Sequence, residues 1–246
     1  MKPQFDLDKI KFTTDQPTFD KAIDLYEKGK VTQFQEDTVV YSAIVLGTRP
    51  YRVSIDTYRF GFGSCECYLG QQNTLCKHIV ALSIYAVMGG QKLSEEDKKQ
   101  IVSPTCSCKR GELSKEELVQ TKKDITSAMK YIKPYRGPSR LWFAYQDSLG
   151  EGCARLAKLV SDLPVSEQTA TLLIDPLLRL DKKLRTGGVD DSDGIVGDFI
   201  EEVVSMLQEY AEIDQNSIRA FKKLRNKETC FGWEEPLVKI ADKDKG

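Results

Sequence analysis

The sequence predicts an α+β protein: a small strand-containing module in residues 1–110, with its core at about 38–88, followed by an all-α domain in residues 111–246. Three observations carry that expectation. Two β-branched runs, "VVYSAIVLG" and "YRVSID", are joined by the turn residues "GTRP". Three of the chain's seven cysteines and its one histidine follow within residues 64–80. Beyond about Leu113, apolar residues recur at helical spacing.

Taken in order, the opening stretch has room for a short strand. "QPTFDKAIDLYEKGKV" then places Phe19, Ile23, Leu25 and Tyr26 near helical spacing and stops at Gly29. The two β-branched runs read as a hairpin, because Tyr51, Val53 and Ile55 alternate with Arg52, Ser54 and Asp56. "RFGFGS" leads from the hairpin into "SCECYLGQQNTLCKHIV", and "HIVALSIYAVMGG" reads as a buried helix. In the second half, "LSKEELVQTKKDITSAMKYIK" opens with Ser114 and Glu117 in capping-box positions and carries Leu118, Ile125, Met129 and Ile132 on one face. Pro134, Gly137 and Pro138 interrupt the chain before "EGCARLAKLVSDL" resumes a helix. "SEQTATLLIDPLLRLDKKL" should kink or split at Pro176. "DGIVGDFIEEVVSMLQEYAEI" spaces Val196, Phe199, Ile200, Val203, Leu207 and Tyr210 on one face, with Asp193 as the expected N-cap. "DQNSIRAFKKLRN" aligns Ile218, Phe221 and Leu224. Amphipathic helices joined by short loops imply a bundle.

Composition narrows the functional classes. With 40% hydrophobic and 30% charged residues the chain can build a core without disulfide staples. A net charge of −1 gives no global pull toward nucleic acid or an anionic membrane. No apolar run is long enough to span a bilayer and "MKPQFDLDKIKF" lacks a secretory h-region, so the expected location is cytoplasmic, with no membrane partner. Thiols stay reduced there, and seven cysteines, an odd number, argue against a disulfide framework.

The cluster reads Cys65-x-Cys67, eight residues, Cys76-x-His78. Three thiolates and one imidazole are the donor set of a tetrahedral structural zinc site, and a shell closed by four protein ligands leaves no position for a reacting water. Gly61 and Gly63 offer a sharp turn before the first pair. Cys76 and His78 sit where a helix begins, and a helix N-terminus favours thiolate over thiol. The bland alternative, inert buried cysteines and a stray histidine, sits badly with the polar spacer "YLGQQNTL".

These residues resemble the SWIM-type zinc finger, whose signature is C-x-C, a variable spacer, then C-x-H. "SCECYLGQQNTLCKHIVAL" fits it throughout, and "AIVLGTRPYRVSID" is similar to its lead-in strands. The resemblance implies a ββα finger holding one structural Zn²⁺ through Cys65, Cys67, Cys76 and His78, and roles in DNA binding or protein–protein interaction. "KPYRGPSR", "TGGVDDSDG" and "FGWEEPLVK" are similar to the helical region of stand-alone bacterial SWIM proteins. No ATPase, transposase or kinase motif accompanies the finger.

Other candidates are weaker. Cys106-x-Cys108 offers two thiols that could ligate another zinc or bridge two subunits around a shared ion. There is no second histidine, however, and Cys153 and Cys230 are distant in sequence; the expectation is a cysteine-containing turn leading into Lys109 and Arg110. Lys130, Lys133, Arg136 and Arg140 interleave with Tyr131, Tyr135, Trp142, Phe143 and Tyr145, a pattern that tracks phosphates and stacks bases, or else docks its rings into a core. "VDDSDGIVGDFIEE" fails as a calcium loop at its first and last positions. No catalytic constellation or small-molecule substrate is evident, since the one histidine is committed to metal. The expected function is thus a non-enzymatic, zinc-binding interaction protein with a protein partner. The alternative is nucleic-acid binding through Lys77, Lys130, Lys133, Arg136 and Arg140.

Overall fold

The computed structural model describes residues 2–99, 103–139 and 142–243. The chain divides into two compact units, Met1–Gln100 and Ile101–Gly246. This boundary falls earlier than residue 110 because residues 103–110 are tied to the helical unit. Thr105 N donates to Ser161 Oγ (2.9 Å) and Ser107 Oγ to the Leu163 carbonyl (2.6 Å). Arg110 forms a parallel bridge with Val165.

The first unit opens with α1 (Leu7–Thr13) and α2 (Gln16–Glu27). The opening stretch is therefore helix and not strand: Asp6 caps it by accepting from Lys9 N, and Leu7 and Ile10 are buried one turn apart. A four-stranded antiparallel sheet follows in the order β1 (Val31–Glu36), β2 (Val40–Leu46), β3 (Pro50–Asp56) and β4 (Ser64–Cys65). The hairpin is β2–β3, paired from Val40↔Asp56 to Leu46↔Pro50. Tyr41, Ala43, Val45, Val53 and Ile55 face inward, and Ser42, Arg52 and Ser54 lie on the opposite face. The edge strand β1 is added to the expected hairpin; its polar "VTQFQE" and the bulge at Gln33 (φ 51) hide the alternation that marks a strand.

A short α3 (Tyr68–Gln71) and the longer α4 (Lys77–Met88) complete the finger, and α5 (Glu95–Lys98) ends the unit. Every residue of α4 from His78 to Ile84 is buried, because the helix packs on β2 and β3 and also against α1 and α2. A helix apolar all round belongs in an interior. Each of its buried aliphatic chains contributes roughly 1.5–3 kcal/mol by leaving water. Gly89 (φ 60) closes the helix in the left-handed conformation.

The second unit is all-α: α6 (Lys115–Ala128), α7 (Trp142–Ser161), α8 (Glu167–Arg185), α9 (Ile195–Ile213), α10 (Ile218–Phe221) and α11 (Glu235–Lys243). Both halves of the Ser114–Glu117 capping box are formed. The α8 helix runs unbroken through Pro176, held by burial of Leu172, Leu173, Ile174, Leu177 and Leu180 on either side of the proline. The six apolar positions expected to line α9 are all buried.

The three sequence blocks without assigned chemistry prove to be internal ties. Tyr135 N donates to the Gly188 carbonyl (3.0 Å), and Trp142 Nε1 donates to Asp190 Oδ2 (3.0 Å), which locks "KPYRGPSR" and the start of α7 onto "TGGVDDSDG". In "FGWEEPLVK", the Cys230 N–H and Trp233 Nε1 both donate to the Asp181 carboxylate of α8 (2.6 and 3.2 Å). The N-cap position of α9 is Gly194, and the carboxylate that satisfies the helix's first amides is that of Asp191, not Asp193. Its two oxygens accept from Val196 N and Gly197 N at 2.8 Å, whereas Asp193 is exposed. Replacing Asp191 by Ala should therefore cost the helical unit about 1 kcal/mol in urea denaturation, while Asp193→Ala leaves the midpoint nearly unchanged.

Candidate metal centre

Three short segments bring the four sequence-singled donors together. Cys65 ends β4, Cys67 is the N-cap of α3, and Cys76 is the N-cap of α4 with His78 in its first turn. Their ligand atoms all lie within 4.8 Å of one another, and all four residues are buried. His78 Nδ1 lies 3.7 Å from Cys65 Sγ and 3.9 Å from Cys76 Sγ. These spacings are too long for strong hydrogen bonds. They approach the roughly 3.6 Å edge expected between sulfur and nitrogen donors of a tetrahedral Zn²⁺.

Backbone amides support the sulfurs. Cys67 N donates to Cys65 Sγ and Gly70 N to Cys67 Sγ, both at 3.4 Å. Such bonds favour the charged thiolate. Taken as protein groups alone, the cysteines share protons unequally. The hydrogen bond from the Cys65 thiol, then those from His78 and the Ile79 N–H, hold Cys76 down at about 4 against the opposing effect of burial. Donating to Cys76 and being buried both push Cys65 up.

The imidazole is held by its surroundings. Tyr51 packs against the His78 ring with centroids 4.7 Å apart, and Thr48 Oγ1 fixes the Tyr51 hydroxyl at 2.8 Å. His78 Nε2 is buried with no hydrogen-bond partner, while Nδ1 points to the sulfurs. A ring so oriented fits a metal on Nδ1 and the proton on Nε2. Zinc, when bound, would supply a fixed cross-link among Cys65, Cys67, Cys76 and His78 and no catalytic position.

Glycines shape this site by space more than by turn freedom. Gly61 has open space around it, whereas a Cβ on Gly63 would meet the Ser54 carbonyl at 2.7 Å. Two further glycines carried no signal as site residues. A Cβ on Gly70 would lie 2.3 Å from the Cys65 carbonyl oxygen, and one on Gly47 would lie 2.6 Å from His78 Nε2. In sequence Gly47 is only a turn residue and Gly70 only part of the spacer.

The remaining candidates fall in both units. Lys77 is half-buried in the first unit; Lys130, Lys133 and Arg136 are exposed in the second, and Arg140 lies outside the described residues. The neighbouring aromatics are mostly occupied: Tyr131 lies under the Arg155 guanidinium (4.9 Å), Tyr135 packs on the buried Tyr145, and Trp142 bonds Asp190. Phe143 is exposed. Cys106 and Cys108 converge with Glu209, a partner distant in sequence. Burial pushes the Cys106 thiol up to about 11, unlike a reactive low-pKa cysteine. No helix among the described residues is long and apolar enough to cross a membrane.

Residues 51–86 match the family model of the SWIM zinc finger, and all four clustered donors lie inside that span. Comparison with curated proteins gave no match, and neither did comparison with solved structures. The chain thus carries a SWIM-type finger with the donor set of a zinc site.

Three outcomes follow for this centre. Cys67→Ser or His78→Ala should abolish zinc retention and unfold residues 38–88 while the helical unit keeps its own melting transition, as read by metal analysis and calorimetry. Gly47→Ala should push the imidazole aside and weaken zinc binding about 10- to 100-fold in chelator competition. Because its hydrogen bond to Cys76 and its burial push Cys65 up, zinc uptake at neutral pH should displace thiol protons from the cluster. Affinity should then rise with pH, and calorimetric binding enthalpy should vary with the ionisation enthalpy of the buffer.

Proposed function

We propose that the chain, with its SWIM zinc finger at residues 51–86, is a non-enzymatic interaction protein of the cytoplasm whose finger docks a protein partner around one structural zinc ion. The observation that carries this reading is the set of large apolar side chains left in water on the finger's surface, around its first cysteine pair. Phe62 is 80% exposed and Tyr68 74%, on the segments that flank the first cysteine pair; Tyr58 and Leu69 are exposed beside them. Rings that could have been buried, held on a metal-braced scaffold, suit recognition of another protein surface. The seven free cysteines accord with a reducing compartment.

Nucleic-acid binding is the second reading, favoured only by the exposure of Lys130, Lys133 and Arg136. Against it stand the engagement of Tyr131, Tyr135 and Trp142 inside their own unit and the net charge of −1.

Affinity capture from native lysate, with and without nuclease, separates the two. A protein partner that survives nuclease at fixed stoichiometry, and is lost with Phe62→Ser/Tyr68→Ser, supports the first reading. Capture abolished by nuclease, with affinity falling steeply as salt rises, replaces it with the second.

A further inference from the structure

We propose that Cys106, Cys108 and Glu209 form a second zinc site, on the helical unit, whose fourth position is open to solvent. In sequence these are two thiols and an unremarked carboxylate about a hundred residues away. The fold places their three ligand atoms within 4.8 Å of one another.

The local backbone repeats that of the finger. Cys108 N donates to Cys106 Sγ at 3.3 Å, as Cys67 N donates to Cys65 Sγ at 3.4 Å. In each pair an amide two residues on is aimed at the first sulfur, a donor that favours the thiolate once its proton leaves for a metal. Cys108 holds the left-handed conformation (φ 55), which a non-glycine residue adopts only where the surroundings impose it. Those surroundings are specific. Thr105 and Ser107 are tied to Ser161 and the Leu163 carbonyl, and Val165 N donates to the Lys109 carbonyl (2.7 Å). The Arg110 guanidinium reaches the Ile213 carbonyl at the end of α9.

Glu209 is fixed from the other side. Its neighbour Tyr210 is fully buried in α9 and donates its hydroxyl to the same Leu163 carbonyl that receives Ser107 Oγ. One carbonyl thus ties the cysteine loop to the helical turn that presents the carboxylate. Glu209 and Cys108 are exposed and Cys106 half-buried, so an ion could enter from water.

The donor set selects the ion. Two thiolates reject magnesium and calcium, which take oxygen ligands. Two sulfurs and a carboxylate suit Zn²⁺, and three protein ligands with a free fourth position are the arrangement of an open zinc site. Binding would exchange the thiol protons of Cys106 and Cys108 for the metal, with no oxidant required.

The test is cobalt titration of the metal-stripped full-length chain under a non-thiol reductant, with Co²⁺ as the spectroscopic substitute for zinc. Wild type should take up one more cobalt per chain than Cys106→Ser/Cys108→Ser, and that increment should carry sulfur-to-metal charge-transfer absorption. Glu209→Gln should keep the absorption but weaken the increment about tenfold or more. The difference between wild type and the double variant counts this site alone, whatever the finger binds. Equal cobalt uptake by wild type and the double variant would overturn the proposal, as would unaltered affinity in Glu209→Gln.

Discussion

The finger depends on one electrostatic problem: three sulfurs and an imidazole drawn together in a buried space. Thiolates this close repel, and burial makes the repulsion worse by removing water. The fold moderates the problem with amide donors from Cys67, Gly70 and Ile79, and with surroundings that push Cys65 up while holding Cys76 down. A divalent cation bound there would resolve it, turning mutual repulsion into four attractive contacts. Structural zinc contributes on the order of 10–16 kcal/mol in small finger peptides. That is comparable to the whole stability of a typical domain.

The two units are built on different physics as a result. The sheet of the first unit is small, and its fourth strand is only two residues long. The ligand cluster joins the end of that strand to the start of α4, so an ion bound there would brace the same corner as the apolar helix. In the second unit, apolar helix faces and hydrogen-bonded aspartates do the joining. Asp181 gathers the Cys230 amide and the Trp233 indole, Asp190 takes the Trp142 indole, and Asp191 satisfies the first amides of α9. Each aspartate secures a loop that apolar contact alone would leave loose.

What could be read from the chain divides along the same line. The ligand pairs, the β2–β3 hairpin and the face of α9 were legible because each rests on local spacing. The expected α6 face was legible only in part, since the helix ends at Ala128, short of Met129 and Ile132. The α1 helix was not: its short amphipathic pattern competes with a strand reading until Asp6 is seen to cap it. Nor was β1, whose polar residues pair at an edge. Pro176 sits inside a continuous helix because burial on both sides outweighs one missing hydrogen bond. The α11 helix was hidden within a block valued only for its resemblance. Hardest of all were Gly47, Gly70 and Glu209, whose importance lies in what approaches them from elsewhere in the fold. Spacing rules hold no record of such approaches.

The contact between Gly70 and the Cys65 carbonyl has an implication for the segment joining the two ligand pairs. From Cys65 to Gly70 the backbone is wedged against itself, and Cys67 caps the little helix that makes the wedge. Beyond it, residues 71–74 are exposed and turn through Asn73 in the left-handed conformation. Insertions and deletions can therefore accumulate in the second half of this spacer without disturbing either grip. The first half has a fixed length, set by a steric lock and not by the ion.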